Sequence, residues 1–181
     1  MRARTLTPAL FIGVAAVTVA GCGATATPQT ASSEPLCHAD RFATPFTSVD
    51  PCSPEQVLTA AVAAVFDYRP SEQADQRAAL RVARPLLDPG FAERAEPAAL
   101  VWSPVTVAQW QQWRATATTI TTTARVTGDD HPADTATTAH RVLSVELQPT
   151  GQPPIRWTVY ARATRTTDRS AWLLSGMEVA S

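Results

Sequence analysis

Hydrophobic and polar positions alternate most regularly in the last third of the chain. Ile155, Trp157, Val159, Ala161 and Ala163 interleave with Arg156, Thr158, Tyr160, Arg162 and Thr164. A period of two turns the first set toward a core and the second toward water, which predicts a half-buried strand. Thr138 to Gln148 behaves alike, with Leu143, Val145 and Leu147 on one face and Val142, Ser144 and Glu146 on the other. Ala115 to Thr127 is rich in threonine and carries Ile120 and Val126, which also favours a strand. Ala171 to Val179 reads as the last one. Turn-forming runs separate them: Gly128 to Ala133, Pro149 to Pro154 and Thr167 to Ser170.

The preceding segment has a different period. Val57, Leu58, Ala61, Val62, Val65 and Phe66 recur at helical spacing behind Ser53-Pro54-Glu55-Gln56. Ser53 is a capping residue, Pro54 suits the first helical position, and Gln56 completes a capping box. Tyr68-Arg69-Pro70 is expected to end this helix, because the residue before a proline disfavours the α conformation. A second helix is expected from Ser71 and Glu72 to about Arg84, and a short helical piece from the Leu86–Phe91 turn to about Glu96. Val105 to Arg114 is ambiguous, although Trp110 and Trp113 stand three apart, as on one helical face.

Helices first and strands afterwards, joined by short turns, predict an α+β domain. Its N-terminal helices would pack on one face of a curved antiparallel sheet of about four strands. The domain spans residues 53–181. Residues 36–52, with Phe42 and Phe46 but no period, read as an irregular segment. Residues 22–35, small, polar and proline-containing, read as a flexible tether.

The first 21 residues change the picture. Arg2 and Arg4 precede an apolar run from Leu6 to Val19, and Val19-Ala20-Gly21-Cys22 follows. The run falls short of the roughly 20 apolar residues that a spanning helix needs. The four residues resemble the lipobox of bacterial lipoproteins, in which the signal peptide is cut before the cysteine and lipid is attached to its thiol. The alternative is an ordinary signal peptide with an incidental cysteine. The lipobox reading implies a chain that begins at Cys22 and is held on the extracytoplasmic face of the cell membrane by two or more acyl chains.

Three cysteines are present, and lipidation of Cys22 leaves Cys37 and Cys52 as an even pair. In an oxidising compartment that pair is expected to form a disulfide. A zinc site is a poor alternative, since His38 beside Cys37 has no second histidine nearby and four ligands are needed. Charge adds little: 15 basic and 16 acidic residues are nearly balanced, and no basic patch points to nucleic acid.

Helices followed by a long antiparallel meander resemble the cone-shaped fold of the nuclear transport factor and SnoaL-like superfamily. The stretch from Ser53 through Phe91 is similar to its helical half. Trp110, Trp113 and the run to Val126 are similar to the approach to its first long strand, and Trp157 and Trp172 to positions in later strands. Exported, membrane-tethered members serve as assembly factors of type IV secretion machines or as Mce-associated proteins of lipid importers. The resemblance therefore implies a cone-like sheet and protein partners in a membrane complex. Those families use a transmembrane helix where this chain has the lipobox-like cysteine.

The chemistry-bearing residues do not assemble into a set. Between Thr138 and Thr167 the predicted strands hold no aspartate. Glu146 is the one strand-interior acid identified, with no arginine on its own strand face. His140 and Glu146 share a face but lie about 20 Å apart along an extended strand, too far for an acid–base pair. His38, His131 and His140 have no paired spacing for a metal. No catalytic, cofactor-binding or metal-ligating residue is assigned, and an enzymatic role is not expected. Tyr68, Trp102, Trp110 and Trp113 are the candidates for a pocket lining or an interface. Their competing reading is core and rim packing, which Trp157 fits best. Two functions follow: a lipid-anchored interaction or assembly accessory, or a small-molecule binder or SnoaL-like enzyme using a pocket inside the cone.

Overall fold

In the computed structural model the described residues are 37–180. Cys22, residues 1–21 read above as a signal segment, and residues 22–35 read as a tether lie outside them. Helix α1 (Pro54–Val65) begins where the sequence places it: Ser53 accepts a hydrogen bond from the Gln56 N–H, with Pro54 in the first turn. The second half of the capping box is displaced. Gln56 Oε1 accepts from the Asp50 N–H at 3.2 Å instead of returning to Ser53, so it braces the turn that delivers the chain to the helix.

Helix α1 stops at Val65, earlier than Tyr68-Arg69-Pro70 suggests, with Phe66 as its cap. Helix α2 (Arg77–Ala83) starts later than expected, and residues 71–76 form turns. The cause is tertiary. The Arg114 guanidinium donates to the carbonyls of Pro70 at 2.8 Å, Ala74 at 3.0 Å and Gln73, oxygens that an early helix would need as its own acceptors. A single 3-10 turn, Arg84–Leu86, follows α2 at Pro85.

Helix α3 (Pro89–Trp102) runs well past Glu96 and continues through Pro97. Its Phe91, Ala92, Ala95 and Ala99 are buried, and Glu96 binds Arg81 of α2 and Arg84 of the 3-10 turn, both at 2.9 Å. These contacts hold the helix across a proline that removes one of its internal hydrogen bonds. The ambiguous stretch is helix α4 (Val107–Ala115), capped by Thr106. Trp110 and Trp113 both point into the core.

Strands β1 (Ile120–Val126), β2 (Thr138–Pro149), β3 (Ile155–Thr164) and β4 (Leu173–Ala180) form one antiparallel meander in the order β1-β2-β3-β4. β1 is shorter at its start, and β4 begins later, than the sequence suggests. The sheet is open, with β1 and β4 at its two edges. The fold class is α+β. The faces follow the predicted alternation: Trp157, Val159, Ala161 and Ala163 are buried, whereas Arg156, Tyr160 and Arg162 are exposed.

Helix α1 lies across the inner face and touches all four strands. Its buried Val57, Leu58, Ala61, Val62 and Val65 share one core with Leu143, Val145, Leu147, Trp157 and Val159. Cys37 and Cys52 are disulfide-bonded, with Cα atoms 5.6 Å apart. The segment between them has no helix or strand, as expected. It is fastened to the turn before β4 by His38 N–H to Arg169 O and Trp172 N–H to Pro51 O.

Candidate functional site

The inner face of the sheet is filled rather than hollow. Phe66 packs edge-on against Trp157 at 5.0 Å and against Tyr68 at 6.1 Å, and Tyr68 against Trp110 at 5.5 Å. Tyr68, Trp110 and Trp113 are buried in the core, and Trp113 Nε1 donates to Gln152 Oε1 at 3.0 Å. Burial pushes the Tyr68 phenol above its ordinary value, against a smaller opposing pull from a hydrogen bond with the Ser103 side chain. The ring packs in the core, edge-on to both Phe66 and Trp110.

Tyr68 also borders a recess of about 310 Å³ between the end of α1 and the approach to β1, with Asp67, Arg69, Glu72 and Thr118. Trp102 is partly buried and stacks on Phe91, with ring centroids 6.1 Å apart. The four aromatic candidates thus divide: three serve the core, and Trp102 backs a recess elsewhere.

That recess, of about 480 Å³, lies mainly on the solvent face at one end of the sheet. Strand register builds it. His140 of β2 opposes Arg162 of β3, which opposes Gly176 of β4. One step along, Val142 opposes Tyr160, which opposes Glu178. All six residues line the recess, and the β1–β2 connection contributes Asp130, His131 and Pro132. Phe91 of α3 closes one side, with Trp102 stacked behind it.

Each group is held differently. The base of the connection is tied down: Asp134 takes two hydrogen bonds from Arg141, both at 2.7 Å, and Arg165 Nε donates to Ala136 O. The Arg141 guanidinium accordingly holds the Asp134 carboxyl below its usual range. Register shifts at Arg162/Ala163, a bulge-like irregularity whose extra residue is satisfied when Ser175 Oγ donates to Arg162 O at 3.3 Å. The Arg162 guanidinium lies over Gly176, where an added Cβ would sit 3.4 Å from its Nε. Val142 is buried yet stands outside the main core, beneath the recess.

Pairing is uneven across this face. Glu146 is bonded by Arg156, its directly opposite neighbour on β3. Reading along one strand missed this arginine because it arrives from the next. Among the described residues, Arg162 has no carboxylate within 4 Å and Glu178 no basic group. His140 Nδ1 is buried without a partner. Glu178, inside β4, also corrects the expectation that Glu146 is the one strand-interior acid. The alternation on β3 already turned Arg162 outward, but the register that joins it to His140 and Glu178 has no sequence signal.

His140 and Glu146 lie three alternate positions apart on β2, and no structural contact joins them. Among the described residues no group of three or more His, Cys, Asp or Glu is arranged to hold a metal ion. Comparison with protein-family models, with curated proteins and with solved structures finds no match.

Proposed function

We propose that this protein is a lipid-anchored, extracytoplasmic interaction protein, an accessory of a membrane secretion or transport complex, and not an enzyme. The observation that carries the reading is the filled inner face. Phe66, Tyr68, Trp110, Trp113 and Trp157 occupy the space that a pocket in a cone would need. The largest recess described, of about 480 Å³, lies mainly on the outer face of the sheet, where groups face water.

The Cys37–Cys52 disulfide supports an oxidising compartment. Val19-Ala20-Gly21-Cys22 behind an apolar run supports a lipid anchor. The element order supports the layout of the tethered nuclear-transport-factor-like proteins, with an open sheet in place of a deep cone.

The test uses the full-length protein in its native membrane. Cys22→Ala should release it from the membrane fraction or leave the precursor uncut. Crosslinking and pull-down of the lipidated form should recover a membrane-complex component. Unchanged fractionation and processing of Cys22→Ala would overturn the anchor, and recovery of no stable partner would overturn the accessory role.

A further inference from the structure

We propose that the recess on the solvent face of the sheet binds a small zwitterion, in which an ammonium group and an oxyanion lie a few ångströms apart. The site joins one cationic and one anionic side chain that do not neutralise each other. Arg162 and Glu178 are diagonal neighbours on β3 and β4, both line the recess, and no ion pair forms between them. Elsewhere on the same face a suitably placed pair does close, as with Glu146 and Arg156. The Arg162 guanidinium has one acceptor among the described residues, Ser175 O at 3.5 Å. Its remaining N–H groups are left to donate two hydrogen bonds at once to a planar or tetrahedral oxyanion.

His140, directly opposite Arg162, lines the recess beside it. Glu178 supplies the complement for an ammonium one row further along. In an α-amino acid the nitrogen and the carboxyl carbon are separated by two bonds, roughly 2.5 Å, so one ligand can bridge two side chains that stand too far apart to pair. Beside the charged groups, the half-exposed ring of Tyr160 offers apolar surface for a hydrocarbon substituent. The volume of about 480 Å³ falls in the range of small-molecule sites. Asp130 at the rim disfavours a ligand with net negative charge, which selects the zwitterion over a simple anion.

The inference does not rest on the lipid anchor or on a protein partner. It is tested on the purified full-length protein in detergent by calorimetric titration with phenylalanine, N-acetylphenylalanine, phenylalanine amide and glycerophosphoethanolamine. Phenylalanine or glycerophosphoethanolamine should bind saturably, and the tighter of the two identifies the oxyanion as carboxylate or phosphodiester.

Arg162→Gln and Glu178→Gln should each weaken that binding about tenfold or more, while Arg156→Gln on the same face should leave it unchanged. If phenylalanine binds, blocking its ammonium should make Glu178→Gln silent, and blocking its carboxylate should make Arg162→Gln silent. Both substituted residues are solvent-exposed, and unchanged circular dichroism would separate a lost ligand contact from a lost fold. Failure of both zwitterions to bind below about 10 mM, an affinity weaker than about −3 kcal/mol, would overturn the proposal. So would binding indifferent to Arg162 and Glu178.

Discussion

Single side chains differ in what they contribute because they differ in what they touch. Phe66 is fully buried and meets both Tyr68 and Trp157 edge-on. Phe66→Ala would remove the ring that fixes both neighbours, and urea unfolding should show a loss of about 3–5 kcal/mol. A smaller loss would mean that the aromatic cluster collapses into the space. Asp134 offers a pH-dependent test. Arg141 depresses its carboxyl below the ordinary value, so the pair stabilises the fold above the unfolded value of about 4 and loses that effect as pH falls through the depressed one. The stability gap between wild type and Asp134→Asn should be full near pH 6 and should close below about pH 4. A gap independent of pH would remove Asp134 as its source.

Elements are decided by their ends as much as by their faces. Ser53→Ala removes the side-chain acceptor for the Gln56 N–H at the start of α1. Thermal or urea unfolding should report a cost of about 1 kcal/mol. Where ends depend on distant partners, local signals mislead. Residues 71–76 have the composition of a helix start, yet Arg114, about forty residues away, takes two of their carbonyls and that of Pro70 just before them. Pro97 would ordinarily mark a boundary, but burial of Ala95 and Ala99 and the Glu96 ion pairs carry α3 through it. In β3 the alternation was legible, because one face packs on α1 and a slip of one residue would expose Trp157 and Val159.

At the scale of the molecule, a short disulfide loop fastens an irregular segment to an open sheet. Cys37 and Cys52 are 15 residues apart. Replacing both by serine should lower unfolding free energy by about 3 kcal/mol in the chain-entropy account. Intact mass of exported protein should rise by two hydrogens on reduction, and two free thiols in native material would contradict the bond. Because the segment also bonds the turn before β4, hydrogen exchange in the serine variant should quicken at Trp172 as well as at residues 37–52.

The sequence by itself determined the helices-then-strands order, the inward and outward faces of β2 and β3, the start of α1 and the cysteine pairing. Each depends on a period, a local cap or an even count, which neighbouring residues state directly. Only the tertiary structure decided that Tyr68, Trp110 and Trp113 fill the core, and that Arg156 reaches Glu146 from the next strand. It alone brought His140, Arg162 and Glu178 around one recess. These three stand on different strands, and their meeting depends on register and on the irregularity at Arg162. Both follow from how whole strands pair and how the core packs beneath them, which no stretch of adjacent residues encodes.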